Sequence, residues 1–291
     1  MDLAPGYSVG GGMFSNAANM TVRNCSFTRC QANEGAGYLW LDGSLTLERC
    51  EFTECAGGGA SAIGIATSSM SATVRDCVFR NNTGNTALTV LTMPTATVEG
   101  CLFVGNSSVI NAAGLTIGQG GTAVIRDNVF WMNDGSQFRG VLSWRSIGSI
   151  ERNTFHGNVA PASGGVLVDF SNLSTGTALT AAGNVFSANS GGPAYRAEFN
   201  TPMGGCNLFW SNPGGDYAAL YVPSATDVFA DPRFCDPSAG DFTVREGSPC
   251  IEGNTPGCGQ IGAMGHGCGV ISVDPLSWGQ VKALYRGQPG R

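Results

Sequence analysis

The sequence is poor in charge and almost free of lysine. Asp, Glu, Lys and Arg together make up 12% of the 291 residues, and Lys282 is the only lysine. The formal net charge is -6, and no run of basic residues occurs. Binding to nucleic acid depends on clustered Lys and Arg that contact phosphates, so we do not expect a nucleic-acid partner.

Long apolar runs, a secretion signal and CxxC pairs are missing as well. No stretch approaches the roughly 18 to 20 apolar residues of a membrane span, so no span is predicted. No basic segment followed by an apolar one stands at the start of the sequence. The segment from Val9 to Phe14 resembles the end of an earlier repeat, so we expect an N-terminal truncation that has removed any signal. Without CxxC, a zinc site of the usual spacing is not expected.

A short pattern recurs eight times: Cys or Asn, any residue, Phe, two residues, then Cys or Asn. The copies begin at Cys25, Cys50, Cys77, Cys101, Asn128, Asn153, Asn184 and Asn207. Successive copies start 25, 27, 24, 27, 25, 31 and 23 residues apart. A fixed pattern with a slightly variable period is typical of a solenoid with one structural unit per coil. Glycine is abundant at 44 residues, which favours a turn-rich, all-β chain.

Charges of alternating sign precede the copies and predict how the coils stack. Six residues stand two positions before successive copies, namely Arg23, Glu48, Arg75, Glu99, Arg126 and Glu151. In parallel coils stacked in register, about 4.8 Å apart, each charge lies beside opposite charges, which a sheet favours. We therefore predict in-register parallel coils with this charge row facing solvent.

The remaining repeat positions predict a packed interior. The Phe residues should stack into a hydrophobic spine, and the Cys residues of the early copies should pack as small apolar groups. Asn in the same positions should adopt the left-handed backbone of a sharp turn and bond to neighbouring coils. A third strand, such as Leu115–Ile117, follows each Gly-rich turn.

These repeats resemble the right-handed parallel β-helix proteins of the pectin-lyase-like superfamily, and most of all a bacterial, extracytoplasmic group of β-helix repeat proteins. The block from Phe229 to Ala263 is similar to the ending of that group, and the resemblance covers about residues 7 to 268. It implies an all-β, right-handed parallel β-helix with about 25 residues and three short strands per coil. We expect the β-helix over 1–212, a cysteine-rich C-terminal cap over 213–271, and a tail over 272–291 with a possible short helix.

Five of the eleven cysteines lie outside the repeat positions and predict disulfides. They are Cys206, Cys235, Cys250, Cys258 and Cys268. Proximity in the sequence suggests the pairs Cys235–Cys250 and Cys258–Cys268, although spacing does not determine connectivity. Disulfides in the cap predict an extracellular or cell-surface location.

Candidate ligand-binding residues lie on the third strands. Trp144, Asp169 and Arg196 each stand four residues after a glycine, and Arg145 and Glu198 flank them. Stacked on neighbouring coils, an aromatic ring, an acid and a guanidinium suit a sugar or uronate. The alternative is an outward ion pair beside an exposed Trp.

Other polar residues give weaker signals. Gly265-His266-Gly267 matches a polygalacturonase motif by letters, but the accompanying aspartate elements are absent, so a glycine-rich turn is expected. His156 is expected at the surface. Asp231, Asp236 and Asp241 recur every five residues and present carboxylates of the kind that calcium binds, yet they also suit turns. No cofactor is predicted, with calcium as the alternative.

Two classes of function remain open from the sequence. The first is a monomeric, non-catalytic surface or secreted protein that presents a face to carbohydrate or protein. The second is a polysaccharide lyase or glycoside hydrolase of the same superfamily. A glycoside hydrolase needs two carboxylates about 5 to 10 Å apart, and the third strands supply only Asp169.

Overall fold

The computed structural model describes residues 11–15, 19–33, 38–40, 43–58, 60–66, 71–91, 95–118, 121–136 and 138–268. Within these ranges the chain is a solenoid of parallel β-strands, and no residue is α-helical. Two 3₁₀ turns, Leu173–Thr175 and Pro237–Ala239, are the helical elements of these ranges. The tail over 272–291, with its predicted helix, lies outside the described residues.

Three long parallel sheets run along the solenoid, each strand pairing with its counterpart one coil away. The charge sheet has eight strands: Met20–Arg23, Leu45–Glu48, Ser71–Arg75, Thr95–Glu99, Thr122–Arg126, Ile147–Glu151, Ala178–Ala182 and Met203–Gly205. The Phe sheet has eight: Ser26–Thr28, Glu51–Thr53, Val78–Arg80, Leu102–Val104, Val129–Trp131, Thr154–His156, Val185–Ser187 and Leu208–Trp210. The third sheet has nine: Met13–Ser15, Tyr38–Trp40, Ile63–Ala66, Leu88–Leu91, Leu115–Ile117, Leu142–Trp144, Leu167–Asp169, Tyr195–Ala197 and Tyr217–Ala219.

Shorter strands add to the three predicted per coil. Two-residue strands follow the Phe strands of six coils, at Gln31–Ala32, Ala56–Gly57, Thr83–Gly84, Ser107–Ser108, Val159–Ala160 and Ser190–Gly191. Near the C-terminus, Phe234–Asp236 pairs antiparallel with Asp241–Val244. The coil is therefore a prism of three sheets with one further short β-contact at a corner.

The predicted Phe spine is present. Rings of successive coils from Phe27 to Phe209 stack with centroids 4.6 to 5.4 Å apart and planes within 9° of parallel. From Phe52 to Phe209 these side chains are essentially inaccessible to solvent. Because each inner ring lies between two others, truncation of one to Ala should lower the free energy of unfolding by about 3–5 kcal/mol.

The sharp turns differ from the prediction in one respect. The left-handed backbone belongs to the residue before each Cys or Asn, with φ between 49° and 66°. These residues are Asn24, Arg49, Asp76, Gly100, Asp127, Arg152, Gly183 and Cys206 before the strand, and Arg29, Glu54, Asn81, Gly105, Met132, Gly157, Ala188 and Ser211 after it. The Asn residues of the two repeat positions stack into two ladders along the solenoid, and they do not supply the turn conformation. Their amides hold neighbouring coils together.

Asn133 shows how the ladders work. Its Nδ2 donates to Phe103 O at 2.9 Å and to Asn158 Oδ1 at 3.0 Å. Its Oδ1 accepts from the backbone N and from Nδ2 of Asn106, both at 3.0 Å. The buried amide is fully satisfied by adjacent coils, which is what burial of a polar group requires.

Both Asn ladders end on an aspartate. Asp227 Oδ1 accepts from Asn207 N at 2.9 Å, and Asp216 Oδ1 accepts from Asn212 Nδ2 at 2.9 Å. A carboxylate only accepts, so it has no N–H to pass to a further coil. Asp227-Val-Phe229 is a ninth copy of the repeat with Asp in place of Asn, and Phe229 stacks on Phe209 at 5.8 Å. The sequence pattern, restricted to Cys and Asn, missed it.

The alternating charges lie in the predicted register. Arg75 pairs with Glu48 on one side and Glu99 on the other, and the row continues through Arg126 to Glu151. Glu99 Oε2 lies 3.1 Å from Arg126 Nη2 and 3.8 Å from Arg75 Nε. These partly exposed pairs fix register more than they stabilise the fold, because a surface ion pair contributes about 0–1 kcal/mol.

The C-terminal segment, residues 230–268, folds back along the outer face of the Phe sheet. Phe234, Phe242 and Ile261 share a buried apolar cluster with Val129 and Val185 of that sheet. Gly262 N donates to Gly183 O at 2.7 Å, and Ala263 N donates to Thr154 Oγ1 at 3.1 Å. The segment is a lateral cover on the wall of the solenoid.

The disulfides are Cys206–Cys258 and Cys235–Cys268. The expected pairs Cys235–Cys250 and Cys258–Cys268 are wrong, because return of the chain along the wall brings Cys258 against a turn of the solenoid. Cys250 is a buried thiol, and burial raises its pKa to about 12. Cys206–Cys258 therefore ties the C-terminal segment to the solenoid, while Cys235–Cys268 closes a loop within the segment.

Candidate functional site

The predicted ligand-binding set is divided between the two faces of the third sheet. Trp144 pairs with Asp169 as expected, but both side chains point inward, at 0% and 1% exposure. Asp169 then pairs with Ala197, and Arg196 pairs with Val168. The expectation of an exposed indole beside an acid and a guanidinium is wrong.

A register error of one residue explains part of this difference. Leu167 pairs with Tyr195, so Gly165 corresponds to Pro193, and counting from Gly192 is one residue out. A slip of one residue in a strand moves the side chain to the opposite face. Arg196 forms an ion pair with Glu198, and Arg145 is exposed.

Asp169 is a buried acid inside the solenoid. Its Oδ1 accepts from Ser171 N at 2.8 Å, while no described group bonds to Oδ2. The Tyr195 hydroxyl, equally buried, also lacks a described partner. Burial raises the pKa of Asp169 to about 6, with the Ser171 hydrogen bonds opposing the rise.

Asp169→Asn is expected to remove a pH dependence of stability. The pKa of Asp169 is raised in the folded state, so the folded protein binds this proton more tightly than the unfolded chain. Stability from this group is therefore greatest below about pH 4 and falls as pH rises through about 6, by about 3 kcal/mol in all. Urea denaturation of both proteins at pH 4 to 8 measures the difference. A constant gap between the two curves would contradict it.

A cleft opens between the Phe sheet and the C-terminal segment. It has a volume of about 420 Å³, and its lining includes His156, Ser187 and Trp210 from the sheet and Asp231, Arg233 and Arg245 from the segment. Strand pairing places His156, Ser187 and Trp210 in one row, one residue per coil. The cleft exists because the segment covers the wall only partly at this row.

His156 lies deeper than the surface position that the sequence predicted. Its ring is half-buried against Phe234 and Phe242, with centroids 5.8 and 5.4 Å away. Burial lowers its pKa to about 4, so the ring is neutral at pH 7. Nδ1 lies 2.9 Å from Ser187 Oγ. No described carboxylate is hydrogen-bonded to the imidazole, so this pair lacks the third group that orients the base in a nucleophilic triad.

The exposed side of the cleft carries an aromatic ring and two cations. Trp210 is 43% exposed. Arg233 Nη1 donates to Gly247 O at 3.1 Å, and Arg245 Nη2 donates to Cys235 O at 2.9 Å. Neither guanidinium lies within ion-pair distance of a described carboxylate. Both guanidiniums are thus hydrogen-bonded to backbone carbonyls, and Asp236 is the acid whose pKa the charge of Arg245 lowers.

The three aspartates considered for calcium serve their own turns. Asp231 Oδ1 accepts from Arg233 N, Asp236 Oδ1 from Ser238 Oγ and Ala239 N, and Asp241 Oδ1 from Thr243 N. The Ser238 and Ala239 hydrogen bonds, with the charge of Arg245, lower the pKa of Asp236. In the described part of the chain, no group of three acidic, Cys or His residues could hold a metal ion.

His266 of the Gly-His-Gly triplet is exposed and lies outside the cleft lining. Its backbone forms an isolated bridge with Val244.

Comparison with known families agrees with this architecture. Residues 7–122 match a family model described as right handed beta helix region. The fold is a right-handed β-helix. No curated protein and no solved structure matches the chain. Among the described residues, no helix is long and apolar enough to cross a membrane.

Sequence reasoning missed the β-helix cleft because its two sides are distant in the chain. Trp210 gave a signal, since it follows the Phe of the eighth copy in the same outward row of the repeat as Trp131 and His156. Arg233 and Arg245 gave none, because only the return of the C-terminal segment along the wall places them beside Trp210.

Proposed function

We propose that the protein is a secreted or cell-surface β-helix that binds acidic polysaccharide without cleaving it. The cleft beside Trp210 is the binding site. The observation that carries the proposal is an exposed indole beside two guanidiniums that bond to backbone carbonyls and have no described carboxylate within ion-pair distance. The two disulfides support an oxidising location.

The chemistry of the cleft suits uronate or sulfated sugars. An indole face packs against the apolar face of a sugar ring, and Arg pairs with a carboxylate or sulfate through two parallel N–H groups. The rest of the surface carries excess negative charge, since the whole chain has a net charge of -6. Long-range repulsion should therefore limit binding to ligands that reach both arginines, and the affinity should fall with salt.

Binding without turnover follows from the groups that line the cleft. Asp231 is the one carboxylate among the lining residues, and its Oδ1 already accepts from Arg233 N at 2.7 Å. Glycoside hydrolysis requires two carboxylates with separate roles. A lyase needs a base that takes a proton from the sugar, and the neutral imidazole in the lining, His156, has a pKa lowered to about 4 by burial, so it is a weak base.

Titration with acidic and neutral oligosaccharides of equal length tests this proposal. Oligogalacturonate should bind, and its fully methyl-esterified form should bind at least about tenfold more weakly. Trp210→Ala and Arg245→Gln should each weaken binding by about tenfold. Arg145→Gln is the matched control, because Arg145 is exposed in the turn after the strand Leu142–Trp144 and is not part of the cleft lining, and it should bind as the wild type does.

Two outcomes would overturn the proposal. Equal affinity of Trp210→Ala, Arg245→Gln and the wild type would remove the cleft as the site. New reducing ends or unsaturated products from any polysaccharide would establish the alternative, a lyase or glycoside hydrolase.

A further inference from the structure

The first coils contain a row of thiols where later coils contain amides. Cys25, Cys50, Cys77 and Cys101 occupy the ladder position before the Phe strand, and Cys30 and Cys55 occupy the one after it. Cys50 Sγ donates to Val22 O and Cys55 Sγ donates to Phe27 O, both at 3.5 Å. The thiols of the second described coil thus reach the first coil on the side where Cys25 and Cys30 lie.

The stacking geometry suits a covalent bond between coils. Ser26 pairs with Glu51, and Glu51 N donates to Cys25 O at 2.9 Å, so Cys25 and Cys50 are in register. Ala56 N donates to Cys30 O at 2.9 Å, which places Cys30 and Cys55 in the same relation. Strands in register lie about 4.8 Å apart, and disulfides join Cα atoms about 4.4 to 6.8 Å apart.

Between the first and second described coils, Cys occupies both ladder positions, so the amide bonds that join the later coils are missing there. The amide of Asn133 makes two hydrogen bonds as donor, one to the preceding coil and one to the following coil, and accepts two more from Asn106, whereas a thiol is a weak donor and acceptor. The first coil further supplies the outermost described strands of the charge and Phe sheets, Met20–Arg23 and Ser26–Thr28. Edge strands with few cross-coil bonds open most readily.

We propose that Cys25–Cys50 and Cys30–Cys55 are oxidation sites that close into two disulfides and clamp the first described coil to the second. Solvent exposure distinguishes these two pairs from the other thiols of the row. Cys25 is exposed and Cys30 is half-buried, whereas Cys77 and Cys101 are fully buried. The oxidant is a disulfide compound of low molecular weight, such as oxidised glutathione.

The exchange proceeds in two steps. The Cys25 thiolate attacks one sulfur of the oxidant, which forms a mixed disulfide and releases one thiol. The Cys50 thiolate then attacks Cys25 Sγ, which closes the protein disulfide and releases the second thiol. A hydrogen bond from Cys77 lowers the pKa of Cys50, which favours Cys50 as the second nucleophile. Burial raises the pKa of Cys55 to about 12, so the Cys30–Cys55 pair should close more slowly.

Intact mass and alkylation after treatment with oxidised glutathione test the proposal on the whole chain. The mass should fall by about 4 Da, two hydrogens for each disulfide, relative to the protein with the two C-terminal disulfides. The number of cysteines alkylated after denaturation should fall from seven to three, leaving Cys77, Cys101 and Cys250.

Peptide mapping identifies the pairs. Trypsin cuts after Arg23, Arg29, Arg49 and Arg75, so it should release 24–29 and 30–49 both linked to 50–75. A second cut by a Glu-specific protease at Glu51 and Glu54 then separates Cys50 from Cys55 and distinguishes the two possible pairings.

Cys25→Ser is the matched variant. It should lose one disulfide and keep Cys30–Cys55. Three results would each overturn the proposal: seven alkylated cysteines after oxidation, a glutathione adduct that persists on Cys25, or a mapped Cys50–Cys77 bond.

Discussion

Asn133→Asp should destabilise the protein more than Asn133→Ala does, although Asp is the closer match in shape. The alanine variant leaves Phe103 O and the backbone N of Asn106 without partners, at a cost of about 3–4 kcal/mol. The aspartate variant keeps the oxygen that accepts from Asn106. It replaces the donor Nδ2 by a second oxygen, which faces two acceptors, Phe103 O and Asn158 Oδ1. Burial of that charge at 0% exposure should add at least about 2 kcal/mol. Urea denaturation at pH 7 measures both variants.

Asp216→Asn is the control, because it makes the reverse change at the end of the same ladder. Asp216 Oδ1 accepts from Asn212 Nδ2, and Asn retains that acceptor at a partly exposed site. Its effect should stay below about 1 kcal/mol. If Asn133→Asp were no worse than Asn133→Ala, the amide ladder would not be the cross-coil bond that the geometry indicates.

Removal of the disulfide Cys206–Cys258 by replacing both residues with Ser should loosen the C-terminal segment from the β-helix wall. The cysteines are separated by 52 residues, and closing a loop of that length constrains the unfolded chain by about 4 kcal/mol. The loss should expose apolar residues that the segment covers, among them Val129 and Val185. Hydrogen exchange at the Phe sheet and binding of an apolar dye should both rise.

The second disulfide provides the comparison for this experiment. Cys235–Cys268 lies within the segment, so its removal should leave the tether at Cys206 and the protection of Val185 in place. Equal exposure of the Phe sheet in the two double variants would contradict the tethering role of Cys206–Cys258. Ligand binding should weaken with loss of the Cys206 tether, because Arg233 and Arg245 lie on the segment.

The sequence by itself determined the β-helix and its register. The recurring Phe and the Cys or Asn around it required a stack, since each coil buries its apolar residues only against its neighbours. The alternation from Arg23 to Glu151 indicated which residues face one another. Adjacent coils in register bring opposite charges together, whereas pairing of a coil with its second neighbour would bring like charges together. These are short-range rules that recur in every coil, so repetition made them readable.

The repeat pattern did not determine which side chains of the third sheet point inward and which point outward. The turns that precede its strands vary in length, so the count from Gly192 was out by one and Arg196 was assigned to the row of Trp144 and Asp169, which points inward. The burial of Trp144 and Asp169 likewise required the strand pairs themselves. The Asp that ends each ladder could have been found from sequence, by allowing an acceptor-only residue in the last copy.

The C-terminal segment and the cleft depended on tertiary structure alone. Apolar residues on the outer side of the Phe sheet, such as Val129, Val185 and Leu208, indicated that something covers this wall, but not what. Only the folded chain brings Cys258 to Cys206, and Arg233 and Arg245 to Trp210. The reason is physical: contacts within the repeats are local and periodic, whereas the return of a non-repeating segment is decided by the fit of two unrelated surfaces.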